Sequence, residues 1–332
     1  MKITILSDGS WGTALATVLC NNGHKVTIWG PFPDYLDTLR ETRINSRFLP
    51  NIELAKTLIF EADMAIAVAD AEILLLAAPT QYARMVLEQL KPNFKPEQHA
   101  LLNVAKGIEN DTQMRISEIC RDVLGECRYA ILSGPSHAEE VAKQVPTAVV
   151  TASATPGLAT TVQQIFMNSY FRVYTCDDVI GLELGGALKN IMAIAAGVID
   201  GMQMGDNPKA ALITRGIAEM SRLGVALGGK AETFSGLSGI GDLIVTCTSG
   251  HSRNRHVGEE LGRGKTLDAI LADMGMVVAE GVKTTSSIHQ LLETLDIETP
   301  IVTQIYQVLY ENKDVKIAIA ELMNRKARPE LD

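Results

Sequence analysis

Lys189 is the residue of this sequence best placed to move a proton away from water, because it interrupts the apolar stretch Val179–Gly201, VIGLELGGALKNIMAIAAGVIDG. Three and four positions from it lie Gly185, Gly186, Met192 and Ala193, with Ala196 a further turn on. Small neighbours leave room beside the ammonium, and a ligand filling that room would meet a preorganised cation and acid. The alternative is a lysine that snorkels its head to water. Asp242 stands in the apolar run Ile240–Val245, where an unpartnered carboxylate is costly. It predicts a partner cation, a helix N-cap being the other reading. Ser252-Arg253-Asn254-Arg255 opens a helix around Val257–Leu261, and a helix start bearing Arg and Asn is suited to an anion such as phosphate. A solvated basic turn is the alternative there.

The first half supplies further polar groups at the ends of apolar runs. Lys106 follows Ala100–Val104, Ser133-Gly134-Pro135-Ser136 follows Tyr129–Leu132, and Ala78-Pro79-Thr80 closes Ile73–Ala78. For Lys106 a solvated loop is the competing reading, and for Gly134 to Ser136 a plain helix cap ahead of His137. At the start, Lys2–Leu6 runs into SDGSWGTALA, in which Gly9 and Gly12 match the dinucleotide fingerprint G-x-G-x-x-G while Ser7 replaces its first glycine. His24–Gly30, Thr147–Thr151 and Arg172–Thr175 complete a series of strands alternating with helical patterns. Such βα repetition predicts a parallel, doubly wound sheet with its ligand across the carboxyl ends of the strands.

After Cys176 the periodicity turns helical, which puts a boundary near Asp177–Gly181 and divides the chain into residues 1–178, α/β of Rossmann type, and residues 179–332, all helical. In the second part the Val179–Gly201 stretch carries a core-facing stripe through Leu184, Leu188, Ile191, Ala195 and Val198. Asn207–Leu227, Ser286–Leu295, Pro300–Tyr310 and Val315–Leu322 read as further helices, Met276–Gly281 sets Glu280 among apolar neighbours, and Arg325–Asp332 reads as a loose tail.

Composition narrows the classes of function. A net charge of −9 argues against nucleic acid or an anionic membrane as the main partner. Glu183, Lys189, Asn190 and Asp200 argue against a membrane span at Val179–Gly201, since a central lysine costs about 2.5–3.5 kcal/mol there. Five scattered cysteines without a C-x-x-C pair, and the lack of H-E-x-x-H, indicate neither a disulfide framework nor a metal site. Met1–Leu6 lacks the pattern of a signal peptide, which points to the cytoplasm.

GSWGTALA, AKGIE at 105–109, SGPS, FRVY, LGGALKN, ALITRG, GIGDL, TCTS and SRNRHVG, in this order and at these spacings, closely resemble bacterial NAD(P)-dependent glycerol-3-phosphate dehydrogenase. The likeness runs from Lys2 to about Leu322. The resemblance implies reversible hydride transfer between NAD(P)H and dihydroxyacetone phosphate, giving sn-glycerol 3-phosphate for glycerophospholipid synthesis. It implies that the loop of Gly9, Ser10, Trp11 and Gly12 binds the cofactor, that Lys106 meets cofactor and substrate, and that Gly134, Ser136 and Ala138 line the same site. Lys189 is then the proton donor and acceptor, with Asn190 and Asp242 beside it. Ser252, Arg253 and Asn254 grip the phosphate, Arg253 also reaching the cofactor, and Val278 and Glu280 close on the cofactor. The runners-up are another dehydrogenase of this architecture, of the β-hydroxyacid type, and a non-catalytic dinucleotide sensor. No oligomeric state is set by the sequence, a homodimer being compatible with it.

The chain departs from the family at Ser7 and Asp8, where Gly-Ala is usual, and at Pro31, where a basic residue is frequent. At the end of the second strand, Trp29-Gly30-Pro31-Phe32-Pro33-Asp34, it has neither the acid that accepts from the ribose of NAD nor the arginine that accommodates NADP at the expected place, Asp34 standing a few residues late where a helix cap is its other reading. That predicts use of both NADH and NADPH with similar efficiency.

Overall fold

A computed structural model of the chain describes residues 1–275, 278–327 and 329–330. The Met276–Gly281 stretch is therefore described from Val278 onwards, and Met276, Val277, Arg328, Leu331 and Asp332 lie outside the described residues.

The strands are β1 (Lys2–Leu6), β2 (Lys25–Trp29), β3 (Ile44–Asn45), β4 (Leu49–Glu53), β5 (Ile59–Glu61), β6 (Ile73–Leu76), β7 (Ala100–Asn103), β8 (Arg128–Ser133), β9 (Thr147–Ala152) and β10 (Phe171–Cys176). Eight of them form one sheet in the order β10-β9-β8-β7-β6-β1-β2-β5, and β3 and β4 make a separate antiparallel pair. Between them run α1 (Ser10–Asn21), α2 (Pro33–Thr42), α3 (Met64–Val68), α4 (Thr80–Leu90), α5 (Ile116–Leu124), α6 (Ala138–Ala142) and α7 (Leu158–Phe166). Ile- and Leu-rich runs such as KITIL and ILLL are apolar on both sides because helices cover both faces of the sheet. Strand order reverses between β6 and β1, which makes the carboxyl edge there the place for a ligand.

The sheet is not wholly parallel, as the alternation had suggested. β9 pairs antiparallel with β8 in the register Ile131↔Ala152 and Ser133↔Val150, and β10 then runs parallel to β9. Between β8 and β9 lies only the five-residue α6. The chain re-enters the sheet at the edge where β8 left it, so β9 runs opposite to β8.

The rest of the chain is helical: α8 (Val179–Gly201), α9 (Asp206–Ala226), α10 (Ala231–Phe234), α11 (Asp242–Thr248), α12 (Arg253–Gly262), α13 (Leu267–Met274), α14 (Glu280–Leu292), α15 (Pro300–Tyr310) and α16 (Val315–Met323). α8 is the axis of this half. The predicted stripe is only part of its core contact, because every residue from Gly181 to Ile199 is buried. It is long and apolar enough to cross a membrane, yet 89% of its most apolar window lies inside the protein. Its closest partner is α12. A Cβ at Gly197 or Gly201 would fall on the main chain of Arg255 or Glu259, and one at Gly258 on that of Ile194. Glycines one turn apart on both helices thus let the two backbones touch. α14 begins six residues before the predicted Ser286, which places Glu280 in its first turn.

Candidate active site

The loops that leave β1, β6, β7 and β8 share the carboxyl edge of the sheet and face the helical half. Lys106 follows β7, and its stem lies over α8, where a Cβ at Gly186 would sit 3.2 Å from its Cγ. Its Nζ donates to the Gly134 carbonyl at 2.8 Å, to Ser136 Oγ at 3.3 Å and to Asp242 Oδ2 at 2.7 Å. The other carboxylate oxygen of Asp242 lies 3.0 Å from Lys189 Nζ, which also donates to Thr246 Oγ1 at 2.8 Å. Asp242 is 1% exposed and Lys189 7%. The room inferred beside Gly185 and Gly186 is therefore filled by protein: the Lys106 stem covers Gly186, and the Ser238 carbonyl lies 2.6 Å from where a Gly185 Cβ would stand.

Two cations around one anion set the electrostatics. Burial pushes the Asp242 carboxyl up, but Lys106 and Lys189 more than offset this and hold it below the usual range. Burial pulls Lys189 down to about 8, Lys106 adding to the shift and Asp242 opposing it. Two of the three Lys189 N–H bonds are taken by Asp242 and Thr246. The third has no protein acceptor among the described residues. Burial, with help from Lys189, also keeps His137 below its ordinary value, and its Nε2 is buried without a partner.

Asn190 donates from Nδ2 to the Lys106 carbonyl at 2.9 Å. Its Oδ1 accepts from Asn254 Nδ2 at 2.9 Å, and Asn254 Oδ1 accepts from the Gly281 N–H at 2.9 Å. Next to Gly281, Glu280 Oε1 accepts from the main-chain N–H and the hydroxyl of Thr80 at 2.9 and 3.0 Å. These polar contacts thus link the start of α4, the loop after β7, α8, α12 and α14. Both ends of the Asn254 amide are spent on it, and Ser252 Oγ caps its own helix by accepting from the Arg255 N–H at 3.2 Å. Arg255 pairs with Asp200 at 2.6 Å, whereas Arg253 is exposed. Of the two arginines in SRNR, only Arg253 is left for a ligand among the described residues.

Thr246 is a member of the site that the sequence does not single out, and Thr80 stands out there only within Ala78-Pro79-Thr80. Thr246 stands four residues after Asp242 on the same helix face, a spacing that could have found it. Thr80 gave no signal beyond closing a strand.

The glycine loop fits a dinucleotide. Gly9 is the N-cap of α1 without a side-chain cap, so the first amides of that helix are open to an anion. A Cβ at Gly12 would crowd Ile5, Ala77 and the Ser7 carbonyl at 3.0–3.1 Å, the close packing that the third fingerprint glycine provides. Ser7 keeps the turn of the missing first glycine at φ +148°, and its Oγ accepts from the Gly9 N–H at 3.2 Å. Trp11 Nε1 is buried without a partner beside it. Ala138 is buried at the start of α6 and Val278 is half-buried just before α14.

The family model for the N-terminus of NAD-dependent glycerol-3-phosphate dehydrogenase matches residues 2–159, and that for its C-terminus matches residues 178–320. The chain belongs to this family. It is 49% identical to glycerol-3-phosphate dehydrogenase [NAD(P)+] of Syntrophotalea carbinolica over the whole of both chains. It is 48% identical to the enzyme of that name from Bacillus mycoides, covering 100% of this chain and 98% of the relative. The crystal structure of glycerol-3-phosphate dehydrogenase from Coxiella burnetii superposes with a TM-score of 0.93 at 38% identity, covering 98% of this chain and 99% of that one. Family membership makes the chain an oxidoreductase that uses NAD or NADP.

Proposed function

We propose that this glycerol-3-phosphate dehydrogenase family member reversibly reduces dihydroxyacetone phosphate to sn-glycerol 3-phosphate, with residues 1–178 holding the nucleotide and residues 179–332 the substrate. Bound NAD(P)H supplies the hydride. Lys189 carries the proton: its free N–H meets the substrate oxygen, and the ammonium stabilises the alkoxide as charge develops there. A lysine brought down to about 8 gives and regains that proton near neutral pH. Asp242 fixes the direction of Lys189 and Lys106 at once. Lys106 reaches a ligand by releasing Ser136, its longest bond, with Gly134 and Ser136 forming the wall around it. Arg253 and the first-turn amides of α12 receive the phosphate, while Ser252 and Asn254 hold that turn and Asn190 in place. Ser10, Trp11, Gly9 and Gly12 take the pyrophosphate side of the nucleotide, with Ala138, Val278 and Glu280 across from them.

The observation that carries this reading is the buried Lys189 with two N–H bonds committed and one free. The anion site at Arg253 favours a phosphorylated substrate over a β-hydroxyacid, and a paired Lys189–Asp242–Lys106 set has no use in a mere sensor. We place the reaction in the cytoplasm, supplying glycerol 3-phosphate to glycerophospholipid synthesis, and the net charge of −9 supports small-molecule rather than nucleic-acid partners. The test is loss of the reduced-nicotinamide absorbance with dihydroxyacetone phosphate as sole acceptor. Oxidation of neither NADH nor NADPH would overturn the proposal in favour of a sensor, and oxidation only with an unphosphorylated β-keto acid would favour the other dehydrogenase.

A further inference from the structure

We propose that Asp8 selects the cofactor: its carboxylate receives the hydroxyls of the adenosine ribose and disfavours a 2′-phosphate, so that the protein binds NADH in preference to NADPH. The inference rests on the dinucleotide reading of the glycine loop. In this fold the ribose is read by a side chain at the end of the second strand. Here β2 ends at Trp29, and Gly30 and Pro31 offer no acceptor. Yet a Cβ built on Gly30 would sit 3.1 Å from Asp8 Oδ2 and 3.2 Å from its Cγ. The carboxyl group of the first βα turn stands where the side chain of the β2 end would run. The acid that the sequence lacks at one position is supplied in space from another.

The carboxylate is also held there and left short of a donor. Asn45 Nδ2 donates to the Asp8 carbonyl and to Thr13 Oγ1, both at 2.8 Å, and Tyr35 OH donates to Asn45 Oδ1 at 2.7 Å, so the turn is fixed from β3 and α2. Asp8 is 6% exposed and its Oδ2 has no hydrogen-bond partner. Burial raises its pKa against the pull of its own backbone and of Arg47. A ribose hydroxyl brings the missing donor, and rotation about Cβ–Cγ presents either oxygen to it. A 2′-phosphate brings only acceptors and like charge. The nearby cation does not cancel this: the Arg47 guanidinium is 4.2 Å above the Tyr35 ring, and its pull on Asp8 is outweighed by burial. The end of β2 alone predicts equal use of both cofactors; with Asp8 in that place NADH is favoured.

Calorimetric titration of wild type, Asp8→Ala and Asp8→Asn with NADH and with NADPH, no second substrate present, tests it. Wild type should bind NADH at least about tenfold more tightly, the scale of a hydrogen bond to a charged acceptor. Asp8→Ala should cut that ratio at least about fivefold, chiefly by weakening NADH. Asp8→Asn, nearly isosteric, should move the ratio the same way by removing the charge. A ratio unchanged within about twofold in both variants would overturn the role of Asp8 alone. A wild-type preference for NADPH that Arg47→Ala removes would overturn it too, putting the cation at the 2′ position. Binding of neither nucleotide to wild type would overturn the dehydrogenase reading and this inference with it.

Discussion

Lys189 and Asp242 meet at 3.0 Å in the interior of the protein, and the second oxygen of the same carboxylate lies 2.7 Å from Lys106. One buried anion thereby aims two cations that reach it from different halves of the chain. The arrangement is expensive to build from buried charges and breaks if one partner is lost. It carries one net positive charge towards the ligand.

Replacing Lys189 by Met keeps the helix and roughly the volume while removing the proton donor. We expect kcat to fall at least about 10²-fold with nucleotide binding retained, and the melting temperature to drop because Asp242 keeps only Lys106 as a cation partner. Steady-state rates alongside calorimetric titration of the nucleotide check this, and a kcat within about tenfold of wild type would take the proton away from Lys189.

The two directions of the reaction should respond oppositely to pH. Below about 8 Lys189 is an ammonium and above it an amine. Reduction needs the acid, so its kcat should decline as pH rises through that value; oxidation needs the base and should climb over the same range. Asp242 favours the charged lysine, so Asp242→Asn should move both breaks to lower pH. Initial rates in both directions from pH 6 to 10 decide the matter, parallel profiles being incompatible with a single proton carrier.

Arg253 should matter to the phosphate and not to the rest of the substrate. Arg253→Ala should lower kcat/KM for dihydroxyacetone phosphate at least about tenfold more than for dihydroxyacetone, because a charge-assisted contact is lost with one substrate only. Arg255→Ala serves as the contrast. Its guanidinium is bound to Asp200 and Glu259, so its loss should lower the melting temperature without changing that ratio.

The contact of α8 with α12 should tolerate no side chain. Gly258→Ala puts a methyl on the main chain of Ile194, and we expect a loss of at least about 2 kcal/mol, read as a lower melting temperature. Because α12 also carries Asn254 and Arg253, the affinity for dihydroxyacetone phosphate should fall with it. Gly250→Ala, with open space around its Cβ, should leave both unchanged.

Much of this protein was legible in its sequence because the signals were local. Alternating apolar runs and helical spacings placed β1, β6, β7, β8, α15 and α16 within a residue or two, and a lysine inside an apolar helix already called for a partner. The short motifs from GSWGTALA to SRNRHVG carried the family. Tertiary structure decided the rest, where the partner of a residue is remote in the chain. Nothing around Asp242 tells that it takes two lysines, and nothing around Gly197 tells that α12 lies against it. The reversal of β9 against β8 shows only in the packed sheet, and the free arginine of SRNR is set by Asp200 claiming the other. In the sequence Asp8 stands out only as a departure from the family's Gly-Ala, whereas the fold sets it beside Gly30. Periodicity fixes which face of an element is buried; what that face meets depends on how the elements pack, and the chemistry of a charged group depends on what it meets.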